Sequence, residues 1–343
     1  GKTRNYLNGA VTYLSPYISR GFLSTKQVYQ SLLDREIPFS EYEKLLQELA
    51  WRDYWQLVWN KHGNEINEDL KYPQSAVDNF GISVSLVSSS TGIEAIDKAV
   101  VNFKKTGYLH NHLRMYIASI SCNIANNHWQ HPAKWMYYNL LDGDWASNTL
   151  SWQWVAGTNS SKKYFANQDN INRFCDTQQT DTFLSVEYDE FPMSFIPDVL
   201  KENRVEALDP FYPKVNKELD LKKEIPTCIY NYYNLDPQWK SELNANRIFL
   251  IEPSVFDRYP VSEKCLNFAL SLSENIKDIQ IFVGEFDDLK VKLGTSKVYF
   301  KQHPFNTSYE GIEDSRDFIF DEKEHLNSFF SFWKRCKKEL NIE

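Results

Sequence analysis

Apolar positions recur at helical spacing through most of the first half of the chain. Ser40-Glu41-Tyr42-Glu43 forms a capping box, and the pattern it opens continues to about Lys61. Along it Glu48, Trp51, Arg52, Trp55 and Trp59 fall at i, i+3, i+4, i+7 and i+11, which is one helical face. The same period returns over residues 93–103 and again over 108–126, where Asn111, Arg114, Met115 and Ala118 share a face. A further helix runs to about Ala156; Asp142 or Asp144 can cap it, and Gly143 between them permits a tight turn. Ser15-Pro16 reads as an N-cap and first helical residue. Such a helix start, with the hydroxyls of Thr12 and Ser15, suits either a phosphate or a plain capped helix. Residues 71–90 are polar and weakly patterned and read as loop.

The pattern changes after residue 175. An acidic, proline-punctuated stretch over 176–226 reads as a linker. Beyond it, apolar runs at 247–252, 279–283 and 297–300 predict strands, alternating with helices at 262–273 and 324–340. That alternation predicts a small parallel α/β domain. The expected architecture is multi-domain α and α/β: a helical domain over 1–175, the linker, and an α/β domain over 227–343. Neither GxGxxG nor GxxxxGK[ST] occurs, so the sequence supports no nucleotide loop in the second domain.

Composition sharpens this picture at three points. Of the ten Trp, eight lie between Trp51 and Trp154. Trp152 and Trp154 sit about 200° apart on their helix, so one indole belongs to the core and the other to a half-exposed cover or a site. Residues 1–180 carry 17 Lys and Arg against 16 Asp and Glu, so the remainder carries −9 of a chain whose net charge is −8, and an anionic partner is expected at the N-terminal half. The five cysteines are scattered without a CxxC, which predicts a reducing, cytoplasmic setting and no disulfide framework. No run of 18 apolar residues occurs, so no membrane association is expected. The opening Gly-Lys-Thr-Arg reads as neither a leader nor a start and predicts a processed or shortened chain.

Glu48 and Arg52 bring charge to an aromatic face and need partners there, either each other at i,i+4 or a polar ligand. His110 and His112 diverge on their helix, and no His pair at i,i+4 accompanies them, so no metal site is expected. His128 and His131 flank Trp129 in a polar linker and are expected to be solvated.

Four segments resemble the photolyase/cryptochrome family in that family's order: Leu14-Ser15-Pro16-Tyr17; Glu48-Leu49-Ala50-Trp51-Arg52-Asp53; Gly107 through Met115; and Asp142-Gly143-Asp144 through Trp152-Gln153-Trp154. The likeness covers residues 4–173 and implies an all-helical domain holding FAD. It implies that the Thr12-Tyr13-Leu14-Ser15 segment and Arg52 meet the pyrophosphate. Asn111 and Arg114 would line the cofactor cavity, and Asp142 and Asp144 would sit near the isoalloxazine, with Asp144 paired to Arg114. Asn148 would face flavin N5.

The resemblance further implies light-driven splitting of cyclobutane pyrimidine dimers in UV-damaged DNA, with the lesion flipped out of the duplex. Trp51 and Trp154 would wall the substrate pocket, Glu48 would bond a pyrimidine edge, and Met115 would pack on the bases. Trp152 and Trp129 would carry electrons, and the third tryptophan of that relay is missing, so that either Tyr72 or another aromatic substitutes or photoreduction is slow. The alternative is a cryptochrome-like blue-light photoreceptor with the same pocket; a flavin scaffold without light chemistry is a third. Asn111 and Met115 resemble cyclobutane-dimer enzymes, whereas His112 departs from them. The stretch 162–175 is similar to a branch with an iron–sulfur cluster, but Cys175 alone cannot hold one, so no metal cluster is expected. Lys134, Lys162, Lys163 and Arg173 would form a basic rim for DNA. The expected protein is a monomer, with any second antenna chromophore unspecified.

Overall fold

A computed structural model describes residues 3–192, 195–214, 218–294, 296–320 and 327–340. The chain divides into two compact units that are each discontinuous. The first joins Gly1–Thr12 to His62–Leu208, and the second joins Tyr13–Lys61 to Asp209–Glu343. The expected boundaries at 175 and 227 differ from this division. Residues 13–61 are read from sequence as part of the helical domain, yet they pack within the second unit. The stretch 176–208 is read as linker, yet it belongs to the first unit, with Leu184 and Leu200 fully buried.

The second unit begins with three helices: α1 (Ser15–Ser19), α2 (Thr25–Leu33) and α3 (Phe39–His62). Helix α1 starts one residue earlier than expected relative to its cap. Leu14 is the N-cap, no side chain caps the helix, and Ser15 is already helical. Helix α2 opens on a capping box, Ser24 with Gln27. Ile18, Val28 and Leu49 close a small core shared with Ile319. On α3, Trp59 is buried edge-on against Tyr259 and Phe305, and Trp51 lies flat on Phe329 at 3.5 Å.

The first unit is a helical body: α4 (Val84–Ser88), α5 (Glu94–Thr106), α6 (Asn111–Ser119), α7 (Gln130–Asn139), α8 (Trp145–Ala156), α9 (Gln168–Cys175) and the short α10 (Asp198–Lys201). Its core takes Val100 and Phe103 from α5, Tyr116 and Ile117 from α6, Trp135 from α7 and Trp152 from α8. Helix α6 passes into a π-helical turn, Ile120–Ile124, within the span expected to be one helix. The expected loop over 71–90 contains structure. Strand β1 (Ile82–Ser83) pairs antiparallel with β2 (Asn203–Arg204), and α4 follows it directly. Both elements are too short for periodicity to show, and the Ser85 and Ser88 positions disguise a helix that buries Leu86 and Val87.

The sheet of the second unit has five parallel strands in the order β5-β4-β3-β6-β7. These are β3 (Thr227–Tyr230), β4 (Asn246–Ile251), β5 (Ile279–Val283), β6 (Val298–Lys301) and β7 (Ile312–Asp314). Helices α11 (Pro253–Arg258), α12 (Glu263–Ser273), α13 (Phe286–Leu293) and α14 (Phe329–Glu339) complete it. The three expected strands are present; β3 and β7 add to them. All four residues of β3 are buried, so it has no alternation to read. The first part of the predicted helix 324–340 lies outside the described residues. The chain builds outward from β3 to β5, then returns to lay β6 on the other side of β3, so the winding direction reverses between β3 and β6. Among the described residues no helix is long and apolar enough to cross a membrane.

Candidate flavin-binding site

Within the first unit, α6 and the start of α8 bring five of the expected site residues into one region. Gly107 sets up the approach. It ends α5 in the left-handed conformation (φ 73°), and a Cβ there would meet the Leu141 side chain at 2.7 Å. Its carbonyl accepts from Leu141 N, which ties the end of α5 to the turn before α8.

Asp144 is the N-cap of α8 and accepts from Ser147 N at 2.8 Å. Asp142 is the residue that meets Arg114: guanidinium Nη2 donates to Oδ1 at 2.9 Å and to Oδ2 at 2.8 Å, while Nε donates to Leu109 O at 2.8 Å. The expected Arg114–Asp144 pair is therefore corrected to Arg114–Asp142. A carboxylate committed to the first-turn N–H groups of its own helix faces along that helix, whereas the carboxylate before the turn reaches α6. Asp142 is 7 % exposed and Arg114 24 %, so the pair sits partly out of water.

Asn148 lies one turn into α8 and is buried. Its Nδ2 donates to Ala133 O at 2.9 Å, which fixes the amide plane and leaves Oδ1 with no hydrogen bond among the described residues. Beside it, Ser147 Oγ and Thr149 Oγ1 are buried without partners. Asn111 is exposed at the start of α6, its amide 3.9 Å from Met115 Sδ. This donor and acceptor set, with orphaned buried hydroxyls alongside, fits a polar, hydrogen-bonding cofactor.

The two indoles of α8 diverge as expected. Trp152 is 2 % exposed and Trp154 41 %. Sequence reasoning passed over Gln153 between them. It is wholly buried, donates to Ile66 O at 2.7 Å and accepts from Leu70 N at 3.0 Å. That latch sets the rotation of α8 and hence the direction of both neighbours; a buried amide between two tryptophans was the signal available. Trp129 is buried and its Nε1 donates to Asp69 Oδ1 at 2.7 Å.

His128 and His131 are half-buried and engaged, where full solvation is expected. His128 stacks on Phe80 at 5.4 Å, and His131 Nε2 accepts from Glu206 N at 2.9 Å. Burial pushes both imidazoles below their ordinary value. Trp154 has Tyr164 at 5.9 Å, with Lys162 and Arg173 exposed on the same unit. Lys163 Nζ donates to Ser75 O, and burial lowers the pKa of Lys163 and Lys134. Tyr72 is exposed.

The remaining expected residues lie at or beyond the unit boundary: Thr12 ends a segment of the first unit, and Tyr13, Leu14, Ser15, Glu48, Trp51 and Arg52 belong to the second. Arg52 donates from Nη1 to Ser19 Oγ at 3.0 Å, at the opposite end of α1 from Ser15. Glu48 is exposed on α3, and Trp51 is held by Phe329.

Comparison with known proteins bears on this arrangement. The family described as the FAD binding domain of DNA photolyase matches residues 45–226, more than half of the chain. A deoxyribodipyrimidine photo-lyase of Alkalihalophilus pseudofirmus is 31% identical over 147 residues, covering 42% of this chain and 30% of that protein. Cryptochrome DASH of Synechocystis sp. is 28% identical over 176 residues, covering 48% and 35%. Among solved structures, a Synechocystis cryptochrome is 25% identical with a TM-score of 0.45, covering 50% of this chain and 38% of that one. The chain thus spans about a third of the length of these curated relatives. With the matched region embracing both α6 and α8, this chain belongs to the photolyase/cryptochrome family, and its cofactor is FAD.

Proposed function

We propose that this chain serves light-driven repair of cyclobutane pyrimidine dimers in DNA. The observation that carries the reading is Trp154, a large indole left 41 % exposed on the helix that also bears Asn148 and buried Trp152. An apolar ring held at a surface by a buried latch, Gln153, favours a stacking partner such as an extruded base. FAD held here in its reduced form would supply the light-driven electron for splitting the dimer.

The chain's own groups have separable tasks in this reading. Asn148 Oδ1 would accept a hydrogen bond from the N5–H of a reduced flavin, since one N–H of its amide donates to Ala133 O and orients the group with Oδ1 left available. The Arg114–Asp142 pair places a fixed cation and its counter-charge at the same site, and Asp144 holds the helix start. Trp152 and Trp129, both buried, serve electron delivery; Trp154 and Met115 serve the substrate.

Photoreception is the second reading, favoured by relatives that carry the cryptochrome name. The test is single-turnover illumination of the anaerobically reduced protein with a thymine-dimer oligonucleotide, following the ultraviolet absorbance of restored pyrimidine double bonds. Repair requires a light-dependent rise that Trp154→Ala abolishes. Flavin absorbance without any rise would leave photoreception.

A further inference from the structure

The carboxyl ends of β3, β6 and β7 in the second unit open onto a cavity of about 50 Å³. Asn234 follows β3, Lys301 and His303 end or follow β6, and Arg316 follows β7; Arg52 and Asp53 of α3 also line the cavity. In open parallel sheets, ligands settle at the carboxyl ends of strands where the winding reverses, and here that place is the β3/β6 gap. The volume decides the size class. At roughly 10–15 Å³ per water-sized occupant, it accepts about three to five heavy atoms' worth of solvent and excludes a nucleotide base.

Two buried polar side chains in the lining each present a donor atom without a partner. His303 Nδ1 accepts from Phe305 N at 3.2 Å, so the neutral ring carries its proton on Nε2, and that Nε2 has no acceptor. Asn234 Nδ2 is likewise without an acceptor. Each residue is 6 % exposed. An unsatisfied buried donor is costly, so two of them facing one polar cavity call for a ligand rich in acceptors.

Electrostatics point the same way. Burial first, then the guanidinium groups of Arg316, Arg52 and Arg20, hold the His303 imidazole well below its ordinary range, which registers positive potential at the ring. Asp53 and Asp317 line the cavity as well: Lys301 Nζ donates to Asp236 and Asp317, and Asp53 accepts from Thr25 Oγ1 and Ile319 N, while burial pushes its carboxyl up to about 7 against the pull of Arg316 and Arg52.

We propose that the crevice between β3 and β6 is a binding site for a phosphate-sized oxyanion, with His303 and Asn234 donating to its oxygens and Arg52 and Arg316 supplying positive charge. It needs no light chemistry and stands independently of the repair reading.

Isothermal titration of the full chain with inorganic phosphate tests it, alongside Arg316→Gln and His303→Phe, with circular dichroism confirming the fold of each variant. Arg52, which the family resemblance gives to FAD, is left unaltered. Saturable binding is expected, at least about tenfold weaker in both variants, with flavin content at purification unchanged. A nucleoside 5′-monophosphate arm separates sources. Tighter binding of free phosphate supports the inorganic ion, and tighter binding of the monophosphate supports an ester entering phosphate first. Absence of binding to the parent chain, or equal affinity in a folded Arg316→Gln variant, overturns the site. Joint loss of phosphate binding and flavin overturns it as well, by making the seat part of the cofactor's.

Discussion

Arg114 donates to both carboxylate oxygens of Asp142, while Asp144, two residues on, caps α8. The two carboxylates therefore tolerate neutralisation differently. Asp144→Asn keeps a competent cap and is expected to change stability by less than about 0.5 kcal/mol. Asp142→Asn leaves a partly buried guanidinium without its counter-charge and is expected to cost about 2–4 kcal/mol, with reduced flavin retention. Urea unfolding of both variants checks this, and equal costs would refute the assignment.

The indoles of α8 separate fold from function. Trp152→Ala opens a hole in the helical core and is expected to destabilise by about 3–5 kcal/mol. Trp154→Ala removes an exposed ring and is expected to cost under about 1 kcal/mol while abolishing affinity for dimer-containing DNA. Thermal melts beside a DNA-binding titration read the two effects independently. Loss of DNA affinity in neither variant would remove Trp154 from the substrate site.

Trp51 and Phe329 stack face to face, with ring centroids 3.5 Å apart and planes within 8°. Phe329→Ala is expected to cost about 3–5 kcal/mol, since the ring is 3 % exposed. In a double-mutant cycle with Trp51→Ala, the coupling is expected at about 1 kcal/mol, and additivity would mean that the stack contributes nothing of its own.

Asp53 gives the second unit a pH dependence of unusual sign. Burial, only partly offset by Thr25, Ile319 N, Arg316 and Arg52, pushes its carboxyl up from 3.8 to about 7. The folded chain then holds a proton that the unfolded chain releases, so this group's contribution falls as pH rises from about 4 to about 7 and is flat above. The integrated effect is on the order of 4 kcal/mol at most. His303 works oppositely: its lowered pKa means that stability is lost as pH falls below 6.5. Asp53→Asn removes the first slope, so its unfolding free energy is expected to rise with pH up to about 6.5 more steeply than the parent's. Parallel curves for the two proteins would show that Asp53 titrates normally.

Much of the helical unit was legible because its signals are local. The cap of α8, the opposed indoles and the face shared by Arg114 and Met115 follow from spacing alone, and the order of four motifs pointed to the family. The choice between Asp142 and Asp144 was not legible. Both are carboxylates beside one glycine, and only the path of the turn decides which reaches α6. Buried β3 lacked alternation, and β1 and α4 were too short for a period. The membership of residues 13–61 in the second unit could not be read either, since it rests on partners such as Ile319 and Phe329 far along the chain.

That membership imposes an order on biosynthesis. The first unit is complete once Leu208 has been made, whereas α3 must wait for strands and helices translated afterwards. Until the segments that carry Phe305 and Phe329 emerge, Trp59 and Trp51 lack part of the aromatic cover they have in the folded unit. Closing so long a loop slows assembly, and a nascent chain with uncovered aromatic faces invites chaperone capture or misassociation. Arrest of translation between the units is therefore expected to yield a helical unit that folds, carrying an α1–α3 arm that does not.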